Sequence, residues 1–278
     1  MHTSNAPVWT ANTVDEALRL RSEHPDATVI AGGTDLMVFI EGGDVQLVEV
    51  LNIWGCEGMS GIEKHEDGFR IGALTTWAEI GRHVELPSAL RECADTVGAA
   101  QIQNRGTVGG NIVNASPAGD SLPLWLALDA EMEVASVRGS RRIPASEFWI
   151  GYRKTALAQD ELLLAVHIQP NPNDRLYYRK VGTRMAQAIS KVMLGGRLRI
   201  EDGIVTEARV ALGSIAATPV RLTSVESALT GKPIDGAAAN LVADEITPID
   251  DIRSTAEYRK IVATRIVRSW LENEAGQQ

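Results

Sequence analysis

Cysteine is nearly missing from this chain of 278 residues: only Cys56 and Cys93 occur, and they lie far apart. Two thiols outside CxxC spacing cannot supply a cysteine-ligated cluster or a disulfide framework, and they fit a reducing compartment. A basic footprint is lacking as well. Lys and Arg number 27 against 36 Asp and Glu, a net charge of −9, which argues against nucleic acid or an anionic membrane as a partner. No stretch approaches the roughly 18 apolar residues of a membrane span, and the N-terminus, Met1 to Pro7, carries no basic and then hydrophobic signal segment. The expectation is a cytoplasmic protein.

The common nucleotide and hydrolase signatures are also missing. There is no G-x-G-x-x-G, and Gly231-Lys232 is followed by proline with no glycine five residues upstream, which excludes the P-loop. HExxH and GxSxG do not occur, and the five histidines are scattered at positions 2, 24, 65, 83 and 167. We expect no metal site and no side-chain catalyst.

What is present is a pair of glycine turns. Ala31-Gly32-Gly33-Thr34-Asp35 follows the apolar run Thr28-Val29-Ile30 and so sits at a strand exit; Thr107-Val108-Gly109-Gly110-Asn111 is the second. Glycine lets the backbone come close to a ligand, and successive N–H groups in such turns can converge on an anion, so the two could grip one diphosphate. Asp120, ahead of the apolar run from Leu122, could accept hydrogen bonds from sugar hydroxyls or simply cap a helix. Seven basic and no acidic residues lie between Arg175 and Arg199. They read as solvated strand faces, with one or two free to balance an anionic cofactor.

Local signals give the elements. Capping boxes at Thr13–Glu16 and Thr76–Glu79 open helices, and Pro87-Ser88 opens a third. Strands are expected at 27–31 and 46–51, making a β-α-β-β unit of the first fifty residues. Further strands are expected at 62–65 and 69–71 around Asp67-Gly68, at 131–136 and 141–143, and at 161–168. The cluster Pro170-Asn171-Pro172-Asn173-Asp174 marks a boundary. Beyond it, antiparallel strands at 176–180, 188–200 and 205–212 precede helices at 223–230, 236–246 and 255–272, the last with Tyr258, Val262, Ile266 and Trp270 as its inward stripe.

Five motifs in order carry a family resemblance: Ala31 to Leu36, Thr107 to Ile112, Asn114 to Asp120, Phe148 to Thr155, and Ala188 to Val192. They resemble the FAD-binding medium subunit of molybdenum hydroxylases, the group holding the flavin subunits of xanthine dehydrogenase and carbon monoxide dehydrogenase. The resemblance implies an α+β chain: a two-subdomain PCMH-type FAD domain over 1–172, divided near residue 55, and a smaller C-terminal α+β domain, antiparallel sheet plus helices, over 173–278. It implies that Val29, Ile30, Ala31, Gly32, Gly33, Thr34, Asp35 and Leu36, with Thr107, Val108, Gly109, Gly110 and Asn111, hold the FAD diphosphate through backbone N–H groups. Asp120 would bind the ribityl or ribose side, and Leu163 and Lys180 would line the flavin. Neither glycine turn contains His or Cys, so FAD is expected to be non-covalent.

Two departures bear on the flavin's potential and its oxidant: Val97 stands where xanthine dehydrogenases of animals have an aromatic residue, and Gln187 where they have an acidic one. The implied assembly is a heterotrimer, or a dimer of heterotrimers. A large subunit would carry molybdopterin, a small subunit [2Fe–2S] clusters, and this subunit would pass electrons to NAD⁺ or another acceptor. A self-sufficient PCMH-type flavin oxidoreductase and a flavin-free scaffold subunit are the alternatives.

Overall fold

The computed structural model describes residues 6–184 and 186–277; residues 1–5, most of the stretch read above for a signal segment, lie outside them. The chain opens with β1 (Val8–Thr10), α1 (Val14–Glu23), β2 (Thr28–Ile30), α2 (Leu36–Gly42) and β3 (Val50–Asn52). The three strands form a parallel sheet in the order β1-β3-β2. One of these elements carries no expectation from the sequence, and one differs from expectation. The apolar run from Leu36 is a helix, ended by Gly43 in the left-handed region at φ 80°. The strand expected from residue 46 begins only at Val50, because each of its partners offers three residues to pair with.

A second unit begins with β4 (Ile62–His65) and β5 (Gly68–Gly72). Five helices follow: α3 (Trp77–Arg82), α4 (Ser88–Thr96), α5 (Ala100–Gln103), α6 (Val108–Asn114) and α7 (Leu122–Ala127). Then come β6 (Glu131–Ser136), β7 (Gly139–Pro144), α8 (Ala145–Phe148), β8 (Trp149–Gly151), β9 (Lys154–Thr155) and β10 (Leu162–Ile168). Five of these strands make one sheet, β4-β5-β10-β6-β7, paired antiparallel throughout. Its strand β10 is buried except at His167, with α6 packed against it. At Thr76 the hydroxyl accepts from Glu79 N while the Glu79 carboxylate accepts from Thr76 N, so α3 starts where the sequence places it.

The C-terminal part is a four-stranded antiparallel sheet of β11 (Asp174–Val181), β12 (Val192–Glu201), β13 (Ile204–Gly213) and β14 (Val220–Arg221). It is followed by α9 (Thr223–Leu229), a 3₁₀ turn over Gly236–Leu241, α10 (Val242–Glu245) and α11 (Ala256–Ala275). Successive strand residues face opposite sides of a sheet, and β12 uses this at adjacent glycines. A Cβ on Gly195 would lie 2.7 Å from the Pro123 carbonyl of α7, and one on Gly196 would strike the Trp270 ring of α11. The sheet is thus gripped between α7 on one face and α11 on the other.

Three sequence expectations are corrected here. The strand expected from Ala188 begins at Val192, where pairing with Val181 starts. The buried stripe of α11 is Arg259, Ala263, Val267, Trp270 and Leu271, so that Tyr258 is exposed and only Trp270 of the expected stripe is fully buried. The basic run is a solvated face only in part: Arg179 and Arg184 are exposed, but Arg197 and Arg199 are not. Arg197 is 5% exposed and bonds Asp129 at 2.6 Å and Glu207 at 2.7 Å, and Arg199 pairs with Asp174 and Glu207.

Candidate functional site

The segment after β2 is held by packing and by two of its carbonyls, Gly33 O accepting from Met37 N at 2.9 Å and Asp35 O from Val38 N at 3.1 Å. Gly33 turns in the left-handed region at φ 75°, where a side chain would be strained. Gly32 lies so close to the Arg105 carbonyl and Gly106 that a Cβ would collide with them, and Thr34 Oγ1 sits 3.3 Å from the equivalent position on Gly106. The first glycine turn therefore touches the residues that lead into the second, far along the sequence. The N–H groups of Gly32, Gly33, Thr34, Asp35 and Leu36 find no hydrogen-bond partner among the described residues. None of these residues is fully buried, so five consecutive free donors at a glycine turn stand open to an anion.

The second segment behaves differently. Residues 107–111 are the start of α6, with Thr107 as its cap accepting from Gly110 N at 3.0 Å. Val108 N donates to Thr75 O, Gly109 N to Ala73 O and Asn111 N to Thr107 O, at 2.9, 2.7 and 3.1 Å. All four amides from 108 to 111 are thus engaged within the protein, which corrects the expectation that both glycine turns offer free N–H groups. Gly109 is buried, and a Cβ there would be 2.6 Å from Ala73 Cβ. Gly110 is exposed and presents bare backbone to the surface.

Asp120 and Lys180 meet at a third point. Lys180 Nζ donates to Asp120 Oδ2 at 2.7 Å and to the Thr96 carbonyl at 2.8 Å, with the Asp120 and Lys180 side chains 12% and 8% exposed. The alternative role for Asp120, capping α7, does not hold: the cap position is Ser121, which makes no side-chain cap bond. Among the described residues Asp120 Oδ1 is buried without a hydrogen-bond partner. Burial pushes this carboxyl above the ordinary carboxylate range, against the opposing pull of Lys180. Beside the pair, Tyr178 OH donates to Asp120 O at 3.1 Å, and burial raises both the Tyr178 phenol and the Cys93 thiol, so neither ionises near neutrality.

Val97 and Gln187 fall near this corner, whereas Leu163 does not share an element with it. Val97 follows α4 next to Thr96, and Gln187, at φ 51°, donates its N–H to Gly98 O at 2.9 Å. The two positions of family departure therefore meet close to the Lys180 contact at Thr96. Leu163 is 4% exposed within β10, opposite Val134, at a bulge in the ladder. A residue with no sequence signal of its own, beyond its place in the motif Phe148 to Thr155, is Arg153: it bonds Asn114 Oδ1 at 2.7 Å and stands 3.8 Å from Asp35. Two depressions, about 260 Å³ beside His65, Phe69, Arg142 and His167 and about 280 Å³ beside Ile62, Thr75 and His83, are lined by other residues. Neither gathers the free backbone donors of the first turn. Among the described residues no His, Cys, Asp and Glu group could hold a metal, and no helix is long and apolar enough to cross a membrane.

Comparison with known proteins places this geometry. Residues 3–172 match the family described as the FAD binding domain in molybdopterin dehydrogenase, and residues 177–273 the CO dehydrogenase flavoprotein C-terminal domain. The chain is 32% identical over 262 residues to the xanthine dehydrogenase FAD-binding subunit of Escherichia coli O157:H7, covering 90% of this chain and 89% of that one. It is 31% identical to the nicotinate dehydrogenase FAD-subunit of Eubacterium barkeri, covering 89% and 88%. A chain of the carbon monoxide dehydrogenase from Hydrogenophaga pseudoflava superposes with a TM-score of 0.93 at 25% identity, over 97% of this chain and 96% of that one. With an α+β fold shared across nearly its whole length and both parts matched in order, this chain belongs to the FAD-binding medium subunits of molybdenum hydroxylases, the xanthine dehydrogenase and carbon monoxide dehydrogenase flavoprotein family, and is an oxidoreductase component.

Proposed function

We propose that FAD lies along the junction of the two glycine segments, with its diphosphate on the free amides of Gly32 to Leu36. Val29, Ile30 and Ala31 carry that turn on the end of β2. On the opposite side Thr107, Val108, Gly109, Gly110 and Asn111 contribute shape, with Gly110 leaving room for the phosphates and the hidden amides fixing α6. The observation that carries the reading is the run of five unpaired N–H groups seated on the Arg105–Gly106 backbone. Asp120 fits the same group: its buried Oδ1 has no hydrogen-bond partner among the described residues, and a ribityl or ribose hydroxyl would satisfy it. Lys180 puts a cation at the ring end, and Leu163 backs it with apolar surface.

Bound FAD supplies the redox centre, and the protein supplies binding, orientation and electrostatics. Asp120 and Lys180 fix each other, so the lysine's charge stays in one place; Tyr178 and Thr96 hold that pair through their own bonds to it. None of these residues needs to act as a general base. In the proposed assembly a large molybdopterin subunit oxidises the substrate and a [2Fe–2S] subunit relays electrons singly to this one. The acceptor of the pair is NAD⁺ or another oxidant. We propose a cytoplasmic heterotrimer or its dimer, with this chain divided into a FAD-binding unit over 1–172 and a C-terminal unit over 173–278.

The test is reconstitution of the purified full chain with FAD, read by its visible spectrum. Oxidised flavin bands that bleach with dithionite, and release of intact FAD on denaturation, are expected. A chain that takes up no flavin overturns the site. Reduction of NAD⁺ by the co-purified complex, compared with reduction of an artificial dye, assigns the acceptor.

A further inference from the structure

The proposed diphosphate seat has no cation of its own. None of Val29 to Leu36 or Thr107 to Asn111 is Lys or Arg, and the chain carries a net charge of −9. An FAD diphosphate adds further negative charge, which amide dipoles alone must then face in an acidic protein. Two arginines come close. Arg105 is committed elsewhere, its guanidinium lying 3.7 Å over the Trp54 ring while its carbonyl supports Gly32.

Arg153 is the other, and its placement is unusual in three ways. It stands in the turn between β8 and β9 at φ 50°, a left-handed conformation that glycine takes freely and a Cβ resists. Its side chain crosses to two other elements: Nη1 donates to Asn114 Oδ1 at the end of α6 and lies 3.8 Å from Asp35, and the guanidinium sits 4.9 Å over the Phe39 ring of α2. Its Nε and Nη2 make no bond among the described residues, and the side chain is 34% exposed. The helix it touches has no buried residue of its own, so little else anchors the downstream end of the free-amide turn.

We propose that Arg153 is a positioning residue for the diphosphate seat: it staples α2 to the end of α6 so that the Gly32 to Leu36 amides converge, and it supplies the counter-charge that seat lacks. Arginine suits both tasks, because its planar fork can bridge a carboxylate and an amide oxygen and still present donors to a phosphate. The inference rests on the FAD reading above but adds a residue outside both glycine segments.

The experiment compares FAD dissociation constants, by quenching of flavin fluorescence at several salt concentrations, for the full-length parent and for Arg153→Gln, Arg153→Lys and Arg153→Gly. Loss of a charge-assisted contact is expected to weaken FAD by about tenfold to a hundredfold in the Gln and Gly variants. The dependence of binding on salt is expected to flatten in both, because the screened charge is gone. Arg153→Lys is not expected to re-form the staple, but it is expected to keep the parental salt dependence and part of the affinity. The Gly variant relieves the backbone strain, so its thermal midpoint without flavin is expected to equal or exceed the parent's, separating binding from folding. Affinity in Arg153→Gln within twofold of the parent overturns the proposal, as does equal weakening in all three variants with an unchanged salt dependence. A parent that binds no FAD defeats the site reading itself and is thereby distinguished from a failure of Arg153.

Discussion

The two glycines of the Gly109-Gly110 pair do different work. Gly109 has its N–H bonded to Ala73 O at 2.7 Å, and its α-carbon faces Ala73 so closely that a Cβ would be 2.6 Å from the alanine methyl. Valine there meets the core before it meets any ligand. Overpacking of this kind costs about 1–3 kcal/mol, and each kcal/mol shifts the midpoint of a chain this size by about 2–4 °C. Gly109→Val is therefore expected to lower the thermal midpoint of the flavin-free chain as much as that of the flavin-bound one. Differential scanning calorimetry of both forms checks this; an unaltered flavin-free midpoint with FAD binding abolished would return the residue to the ligand's side. Gly32 is constrained in the same manner by the Arg105 carbonyl, and its neighbours' free N–H groups, not its own freedom, are what mark the turn as a recess.

At the scale of elements, the turn entering β10 shows how a single carboxylate ties a strand to its surroundings. Glu161 takes two bonds at 2.8 Å from Arg141 of β7 and a third from Ala158 N at 2.8 Å, while its own side chain is 7% exposed. The Arg141 hydrogen bonds hold its carboxyl below the ordinary value. A depressed carboxylate stabilises the fold above its unfolded pKa, and that contribution fades as pH falls through the lower native value. Glu161→Gln is expected to cost about 1 kcal/mol at neutral pH, an amount kept small by the exposure of Arg141. Urea midpoints of parent and variant are expected to converge as the pH is taken well below the ordinary glutamate range; a gap that persists there contradicts the ionic origin.

The same distinction between near and distant partners explains which elements are legible in the sequence. The Thr76–Glu79 box and the Asp67-Gly68 hairpin are readable because residues a few positions apart decide them. The late starts of β3 and β12 are not, because each is set by where a partner strand stops offering residues to pair with. The buried face of α11 departs from the sequence stripe by one position because Trp270 has to fit the gap at Gly196 and Arg259 has to reach the Ser214 carbonyl. The site divides in the same way. Glycine content points to both turns, but whether an N–H is free depends on carbonyls such as those of Ala73 and Thr75, which composition cannot place. Arg153 is hidden for the same reason: its partners Asp35 and Asn114 are remote in the chain.

For the molecule as a whole, the contact between the helices after β5 and the C-terminal sheet decides how the site holds together. Among the described residues two ionic ties cross it. Asp129 collects Arg197, Arg209 and Arg221 at 2.6, 2.7 and 3.0 Å on a partly exposed edge, where such pairs contribute little. The Asp120–Lys180 tie is buried, and that changes its arithmetic. Removing one partner of a buried pair leaves an uncompensated charge and costs about 3–5 kcal/mol, whereas replacing both with apolar groups costs much less. Asp120→Ala and Lys180→Met are therefore each expected to loosen β11 from α4 and destabilise the chain, and the double variant to be more stable than the sum of the singles predicts. A double-mutant cycle in urea, run with and without FAD, measures this coupling, which for contacting residues amounts to about 0.5–3 kcal/mol. Because Asp120 Oδ1 has no hydrogen-bond partner among the described residues, FAD is expected to raise the stability of the parent more than that of either Asp120 variant. If flavin stabilises the parent and the Asp120 variants equally, the carboxylate serves only to hold Lys180 and makes no contact with the cofactor.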